Sequence, residues 1–358
     1  MNRTLKDFAR LCGGSFTGDD HAYTGVGTDT RALRDGEIYL ALRGPRFDGN
    51  DFVGAAATAG AIAAVVDRPV PGSALPLITV ADGQAALTAA ARGWRDRYAG
   101  VVVGVAGSNG KTTVKEMTAA ILAQRGPCLA TRGNLNNHIG VPLTLLRLSA
   151  EHRSAVIEIG ANRAGEVADL VRIARPDVGL ITNAGAEHLE GFGDLDGVAR
   201  AEGEMVEGLD AGGVAIINAD DAYADLWRGM TRARVVTFGV DRPADFSAAD
   251  VSSELTDSGF RTTFTLRAPQ GERAVRLNVG GVHNLRNALA AAAAAVSAGA
   301  SLDDVVAGLA AMQPVAGRLQ PGRTSHGARL IDDSYNANPS SMRAGIDVLV
   351  AMPGRPWL

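Results

Sequence analysis

The sequence predicts an α/β protein with a small N-terminal α/β domain and a central P-loop domain on a parallel sheet, followed by the beginning of a third region. Three observations carry this. From residue 101 to 239, near-continuous apolar runs alternate with helix-length segments, the pattern of strands buried on both faces of a parallel sheet. The first hundred residues repeat that alternation on a smaller scale. Between VVVGVA and an amphipathic stretch lies GSNGKTT, the strand–loop–helix setting of a phosphate-binding loop.

A chain of 358 residues has room for two or three domains, at about 150 residues each. With 46% hydrophobic and 21% charged residues it belongs among ordinary globular proteins. A net charge of −4 gives no footprint for nucleic acid, and no basic run suggests an anionic membrane. Cys12 and Cys128 are too far apart in sequence to suggest a disulfide framework. MNRTLKDFARLCGG reads as an amphipathic helix with Leu5, Phe8 and Leu11 on one side, without the apolar core of a signal peptide. The alanine-rich stretch 288–300 is too short to cross a bilayer. A cytoplasmic location is expected, with no stable membrane insertion.

In chain order, 37–42, 61–66 and 77–80 read as strands, and 51–60 and 84–98 as helices; Gly100 marks the end of this unit. The second region opens with the strand 101–106, and 155–159, 178–182, 214–218 and 235–239 follow as further strands. From 245 to 279 the period changes to two. Phe260, Thr262, Phe264 and Leu266, then Val275, Leu277 and Val279, flank the turn-like PQGE and predict an antiparallel hairpin. Helices follow from Asn284 and Leu302. A third region begins near Gly317 with a strand and loop in RLIDDSYNANP and a helix in SSMRAGIDVLVAM; PGRPWL then reads as the beginning of another strand. The predicted division is thus 1–99, 100–316 and 317–358.

The loop Gly107, Ser108, Asn109, Gly110, Lys111, Thr112, Thr113 lacks one glycine of G-x-x-x-x-G-K-[ST]: Val105 stands in its place. The setting is otherwise complete. Val114, Met117 and Ile121 mark the buried face of the helix, whose N-terminus and preceding amides face phosphate, with Lys111 as a point charge and Thr112 as a Mg²⁺ ligand.

Polar residues then recur at strand ends. Glu158 lies in the apolar strand VIEIGAN; a carboxylate there is costly without a partner such as a metal ion, and strand C-termini of open α/β sheets are where ligands bind. His188, in TNAGAEHLEGFG, carries little weight alone, and Glu187, Glu190, Glu202 and Glu204 read equally well as solvated charges. Together, Thr112, Glu158, His188 and a helix carboxylate could hold one or two Mg²⁺ ions around a triphosphate, joined so far only by sequence order. DDSYNANP (332–339) is more polar than a connector needs, and Asn284 in HNLRNALAA reads either as a helix N-cap or as a site residue.

GxxGKTT, HNxxNA, Gly317-Arg318 and Asp333-Ser334 occur in the order shared by the Mur ligases, and the chain resembles that family of ATP-dependent amide-forming enzymes of peptidoglycan synthesis. The family writes its P-loop without the early glycine. VKEMTAAIL, GNLNNHIGVPLTLLRL, HLEGFG and DDSYNANPSSM are most similar to the branch that joins D-alanyl-D-alanine to UDP-N-acetylmuramoyl-tripeptide, and the resemblance covers essentially the whole chain. It implies an N-terminal UDP-binding domain, a central ATPase domain, ATP and Mg²⁺ as cofactors, and phosphorylation of the tripeptide carboxylate before the dipeptide amine attacks. A role in cell-wall biogenesis, and so in cell shape and division, and a monomeric state are expected.

Residue by residue, the resemblance implies catalytic roles for Lys111, Glu158 and His188. Thr112 and Glu158 match ligands of one Mg²⁺ and His188 of a second, while Asn287, Arg318 and Asp333 match nucleotide contacts. Thr30, Arg31, Asp48, Asn50, Asn136 and Asn137 match the UDP-substrate site. Two departures stand out. Many members carry a carbamylated lysine where this chain has Glu202; glutamate is already an anion, so Glu202 is expected to replace the carbamate and activity to be independent of bicarbonate. The family also has a complete, Rossmann-like C-terminal domain of which 317–358 matches only the first part, truncated after its first strand, loop and helix. The chain is therefore expected to bind nucleotide and UDP-substrate weakly without ligating, with an exposed apolar face on the 341–352 helix.

Other readings are the amino-acid ligases of the same pathway, folylpolyglutamate synthetase, and a non-catalytic nucleotide-binding chain. DTRALRDGEIYLAL counts against the folate enzyme, which lacks the first domain.

Overall fold

The computed structural model describes residues 3–186, 188–256, 259–335 and 337–352. PGRPWL, Glu187 and Asn336 lie outside the described residues. The chain forms two compact units, residues 1–99 with 134–151, and residues 100–133 with 152–358.

In the first unit, α1 (Leu5–Leu11), α2 (Val53–Thr58) and α3 (Gly83–Arg95) accompany a sheet of β1 (Ser15–Phe16), β2 (Val26–Gly27), β3 (Ile38–Leu40), β6 (Ala63–Val66) and β7 (Leu77–Thr79). The order is β1-β7-β6-β3-β2, with β1 antiparallel to its neighbour. A two-residue pair, β4 (Arg43–Gly44) and β5 (Phe47–Asp48), forms a separate hairpin. Asp82 caps α3 through the Ala85 N–H, which is why this helix starts where the apolar spacing begins.

The chain then builds β8 (Val101–Ala106), α4 (Lys111–Leu122) and β9 (Cys128–Ala130) of the second unit, returns to the first in α5 (Gly140–Leu145), and re-enters the second at β10 (Ser154–Glu158). The return departs from the expected three-way division and has a plain cause. Trp94 is fully buried and donates its indole N–H to Leu148 O at 3.0 Å, and Arg3 donates to the Leu146 and Leu148 carbonyls at 3.1 Å.

The second unit continues through α6 (Glu166–Ala174), β11 (Val178–Ile181), α7 (Leu189–Phe192), α8 (Leu195–Glu207), β12 (Val214–Asn218), α9 (Ala224–Met230) and β13 (Arg234–Phe238). Its six strands are all parallel, ordered β13-β12-β11-β8-β10-β9. Val103 and Val105 join the core with Val114 and Met117 of α4 and Leu289 of α10 (Val282–Ser297). Gly104 faces the other way, where a Cβ would lie 3.0 Å from Met205 Sδ on α8. Alternation along β8 therefore commits both faces to helices. The residue in place of the early P-loop glycine is an interior position of the strand. Val105 is fully buried and paired with Glu158 on one side and Leu180 on the other.

The predicted hairpin is the second half of a three-stranded antiparallel sheet, β14 (Ser247–Thr256), β15 (Gly259–Ala268) and β16 (Gly271–Leu277). It packs Phe264, Leu266, Val275 and Leu277 into the core shared by α10 and α11 (Leu302–Ala311). In α10, Ala288 and Ala290–Ala295 have no exposed surface; a helix apolar all round belongs in a core. Past residue 317, a short pair, β17 (Gln320–Arg323) with β18 (Arg329–Asp332), precedes α12 (Pro339–Val350). These belong to the second unit because Val348 of α12 clusters with Leu319 and with Phe260 of β15. The apolar exposure expected of α12 is found at Met342 and Val350, 57% and 65% exposed, while Val348 is buried. Both cysteines are free.

Candidate active site

The P-loop leaves β8 between β10 and β11, at the C-terminal end of the parallel sheet. The chain visits β9 and β10 on one side of β8 before crossing to β11 on the other, which makes this the topological switch point where open α/β sheets bind ligands.

Two glycines shape the loop. Gly107 has φ +118°, and a Cβ there would meet Thr182 Oγ1 at 2.1 Å. Gly110 has φ +85°, and its Cβ would meet Asn287 Oδ1 at 2.5 Å. Three loop amides are engaged within the protein. The Gly107 N–H donates to Glu202 Oε2 at 2.6 Å, Ser108 N–H to Asn183 O at 2.9 Å, and Asn109 N–H to Asn183 Oδ1 at 3.1 Å. No side chain caps the start of α4, where first-turn N–H groups and the helix dipole favour an anion. Lys111 Nζ folds back onto the Gly107 and Ser108 carbonyls, the latter at 3.0 Å.

A cavity of about 480 Å³ opens beside the loop. Of the residues expected to bind nucleotide, Asn109, Gly110, Thr113, Asn287, Arg318 and Asp333 line it. Arg318 lies over the Tyr335 ring at 4.4 Å and donates from Nη2 to Thr112 Oγ1 at 3.1 Å. Asp333 Oδ1 accepts the Leu319 N–H at 3.1 Å. Asn284 is not an N-cap, since α10 starts two residues earlier; it is buried and donates to Gly280 O at 2.8 Å, while Asn287 donates to Asn284 Oδ1 at 3.2 Å.

The expected metal ligands are less closely gathered. Glu158 is 2% exposed at the end of β10, and its N–H donates to Thr131 Oγ1 at 3.0 Å. Glu202, 4% exposed, is docked on the P-loop amide. His188 is exposed and holds left-handed backbone (φ 46°) at the start of α7. Neither Glu158 nor His188 lines the cavity, and among the described residues no three His, Cys, Asp or Glu side chains converge on a point. Mg²⁺ asks little of a protein, one or two carboxylates besides phosphate oxygens and water. The buried Glu158 beside β8 and the Thr112 hydroxyl suit that demand.

Several site residues carried no strong signal in the sequence. Thr182 and Asn183, directly after β11, donate to Asn109 O at 2.6 and 2.9 Å, and Ser108 Oγ accepts from the Gly185 N–H at 2.8 Å. Asn338 caps α12 through the Ser341 N–H and donates from Nδ2 to Asn109 Oδ1 at 2.7 Å; an Asn before Pro-Ser-Ser is itself a helix-start signature. Also lining the cavity, Arg286 pairs with Asp220 and Asp241. Burial works to raise the Asp220 carboxyl, but the Val240, Arg242 and Asp241 amides and Arg286 hold it below its usual value. Burial lowers the His283 imidazole, opposed by the nearby Asp333.

In the first unit, Asp48 and Asn50 form a tight group. Asn50, 2% exposed, donates to Asp48 Oδ1 at 2.6 Å and to Asp67 Oδ1 at 2.8 Å, while Arg68 donates to Asp48 Oδ2 at 3.0 Å. Asn50 thus orients Asp48. Arg31 is exposed and chelated by Asp29 at 2.9 and 2.7 Å, and Thr30 lies in the same turn. Asn137 Oδ1 accepts the Ile139 and Gly140 N–H groups at the start of α5, and Asn136 precedes it.

A P-loop at the switch point of a parallel sheet, with a cavity lined in part by the start of its helix, defines a nucleotide-binding α/β enzyme. The chain belongs to the Mur ligase family: residues 105–295 match the Mur ligase middle domain, and residues 22–95 match the domain described as Mur ligase family, catalytic domain. It is 46% identical to the UDP-N-acetylmuramoyl-tripeptide–D-alanyl-D-alanine ligase of Escherichia coli K12, over 98% of this chain and 77% of that one. It is 36% identical to the Bacillus subtilis enzyme of the same name, over 99% and 77%. Among solved structures, MurF from Acinetobacter baumannii matches with TM-score 0.90 and 37% identity over 98% of this chain and 77% of that one. MurF ligase from Thermotoga maritima in complex with ADP matches with TM-score 0.79 and 28% identity over 92% and 75%.

Proposed function

We propose that the protein is an ATP-dependent ligase that adds D-alanyl-D-alanine to UDP-N-acetylmuramoyl-tripeptide, a step of peptidoglycan precursor synthesis. The observation that carries this is the convergence of the P-loop, α10 and the 317–345 segment on one cavity, in a chain so similar to ligases of that name. A free carboxylate resists attack by an amine, so the tripeptide carboxylate first takes the γ-phosphoryl group of ATP. ADP leaves, the dipeptide amine attacks the acyl carbon, and the amide C–N bond forms as the C–O bond to phosphate breaks and inorganic phosphate departs.

In this reading the α4 N-terminus, with Gly110, Thr112 and Thr113, and Lys111 bind and orient the phosphates, while Gly107, Ser108 and Asn109 set the shape of the loop through their own internal hydrogen bonds. Asn287, Arg318 and Asp333 hold the nucleoside end. Thr112 and Glu158 would hold one Mg²⁺, with His188 and Glu202 assigned to a second; bound there, the metal would supply positive charge against the phosphate oxygens. Glu202 makes a carbamate unnecessary, so activity is independent of bicarbonate. Residues 1–99 with Thr30, Arg31, Asp48 and Asn50, joined by Asn136 and Asn137, carry the UDP-substrate; 100–316 is the ATP domain and 317–358 the start of the ligase domain. Among the described residues no helix is long and apolar enough to cross a membrane, and we assign the protein to the cytoplasm as a monomer.

The test is phosphate release from ATP with UDP-tripeptide and a panel of amine acceptors. Release that requires D-alanyl-D-alanine supports the assignment. Release with a single amino acid instead would move the protein to a neighbouring ligase, and nucleotide binding without release to a non-catalytic role.

A further inference from the structure

Lys115 has no exposed surface. It sits four residues after Lys111 on α4, hence on the same helix face. Its Nζ donates to Thr131 O at 2.8 Å and to Glu116 Oε1 at 2.6 Å. Both the burial and the place are unfavourable: a desolvated ammonium needs compensation, and the first turns of a helix disfavour a cation. An apolar side chain such as the neighbouring Val114 or Met117 would fill the space more cheaply, so the contacts of Lys115 call for another reason.

Those contacts lead to Glu158. Thr131, 1% exposed, follows directly on Ala130, whose partner Val156 is the last residue in the β9–β10 register. Beyond it the ladder is continued by Thr131 itself. The Thr131 N–H donates to Val156 O at 3.1 Å, and Thr131 Oγ1 accepts the Glu158 N–H at 3.0 Å. Thr131 is therefore fastened to β10 on both sides of Ile157 and held from the α4 side by Lys115.

We propose that Lys115 is a positioning residue: through Thr131 it fixes the end of β10, and with it the Glu158 carboxylate, for the divalent cation that accompanies the nucleotide. The inference rests on the reading of Glu158 as a Mg²⁺ ligand. It is tested on the full chain with Lys115→Met, Lys115→Arg, Thr131→Val and Glu158→Gln. A fluorescent ATP analogue is titrated with Mg²⁺ and, separately, in EDTA, and each variant is melted without nucleotide.

Lys115→Met is expected to weaken Mg²⁺-dependent binding about tenfold while leaving binding in EDTA within about twofold. Thr131→Val, which leaves the Lys115–carbonyl contact in place, should shift the same quantity in the same direction by less. Lys115→Arg should recover part of the loss. Equal losses with and without Mg²⁺, tracking a lowered melting temperature, would make Lys115 a merely structural residue and overturn the proposal. So would no loss in Lys115→Met or Thr131→Val when Glu158→Gln abolishes the Mg²⁺ dependence. If Glu158→Gln keeps that dependence, the assignment of Glu158 fails and the inference fails with it.

Discussion

Gly107 has no room for a side chain. A Cβ would stand 2.1 Å from Thr182 Oγ1, and φ of +118° is hostile to any L-residue. Gly107→Ala must therefore displace Thr182 or rotate the peptide whose N–H meets Glu202. Strain of this kind costs on the order of 1–3 kcal/mol, and we expect ATP affinity to fall about tenfold or more, measurable by calorimetric titration. Binding at wild-type strength would mean that the loop adapts. Requirements of this kind are what a sequence displays well, because a backbone that tolerates only glycine leaves glycine behind. The contacts of Asn183 left no such mark. It serves the loop by bonding to the main chain of Ser108 and Asn109, and main-chain partners have no residue identity to read. Glu202 was ambiguous for the related reason that a buried acid on a helix spells the same as a solvated one; only the fold shows it reaching Gly107.

Elements were legible in proportion to how completely they are buried. The apolar runs 101–106 and 214–218 coincide residue for residue with β8 and β12, since Val102 through Ala106 and all of β12 are buried. The stretch 245–279 reads as period two, but it resolves into named strands only from Phe260 on: in β14 five of ten residues in succession, Asp250 to Glu254, are exposed, and β17 has no buried residue either. One junction between elements makes a pH prediction. Asp7 in α1 accepts from Arg97, just past α3, with Arg97 Nη2 at 3.0 Å from Oδ1. That hydrogen bond leads in holding the Asp7 carboxyl below its ordinary value; burial opposes it, and the charges of Arg97 and Arg10 add to it. A carboxyl depressed on folding stabilises the protein above its unfolded pKa, and loses that contribution as pH falls through the folded value. Asp7→Asn should therefore lower stability at pH 7, with the gap to wild type closing below about pH 4. A gap that stays constant in acid denaturation profiles would contradict it.

At the scale of the whole chain, the first unit is discontinuous, and nothing local announced this. The GVPLTL helix is short and apolar, and its place beside Trp94 is set by tertiary contacts. A fragment of residues 1–99 carries Trp94 as its sole tryptophan, without the Leu148 carbonyl that its indole meets or the carbonyls that receive Arg3. Its fluorescence should be red-shifted and its melting non-cooperative, whereas a chain joining 1–99 to 134–151 through a short linker should restore a blue-shifted, cooperative signal. A blue-shifted, cooperatively melting 1–99 fragment would show that α5 is dispensable. The same interruption has a consequence on the ribosome. The first unit cannot close until residue 151 has emerged, after β8, the P-loop, α4 and β9; at about 5–20 residues per second that is a wait of roughly 3–10 s with Trp94 uncovered. The nucleotide loop is thus synthesised inside the folding interval of the unit that precedes it, and the newborn chain passes through a stage when a holdase chaperone would find apolar surface from both.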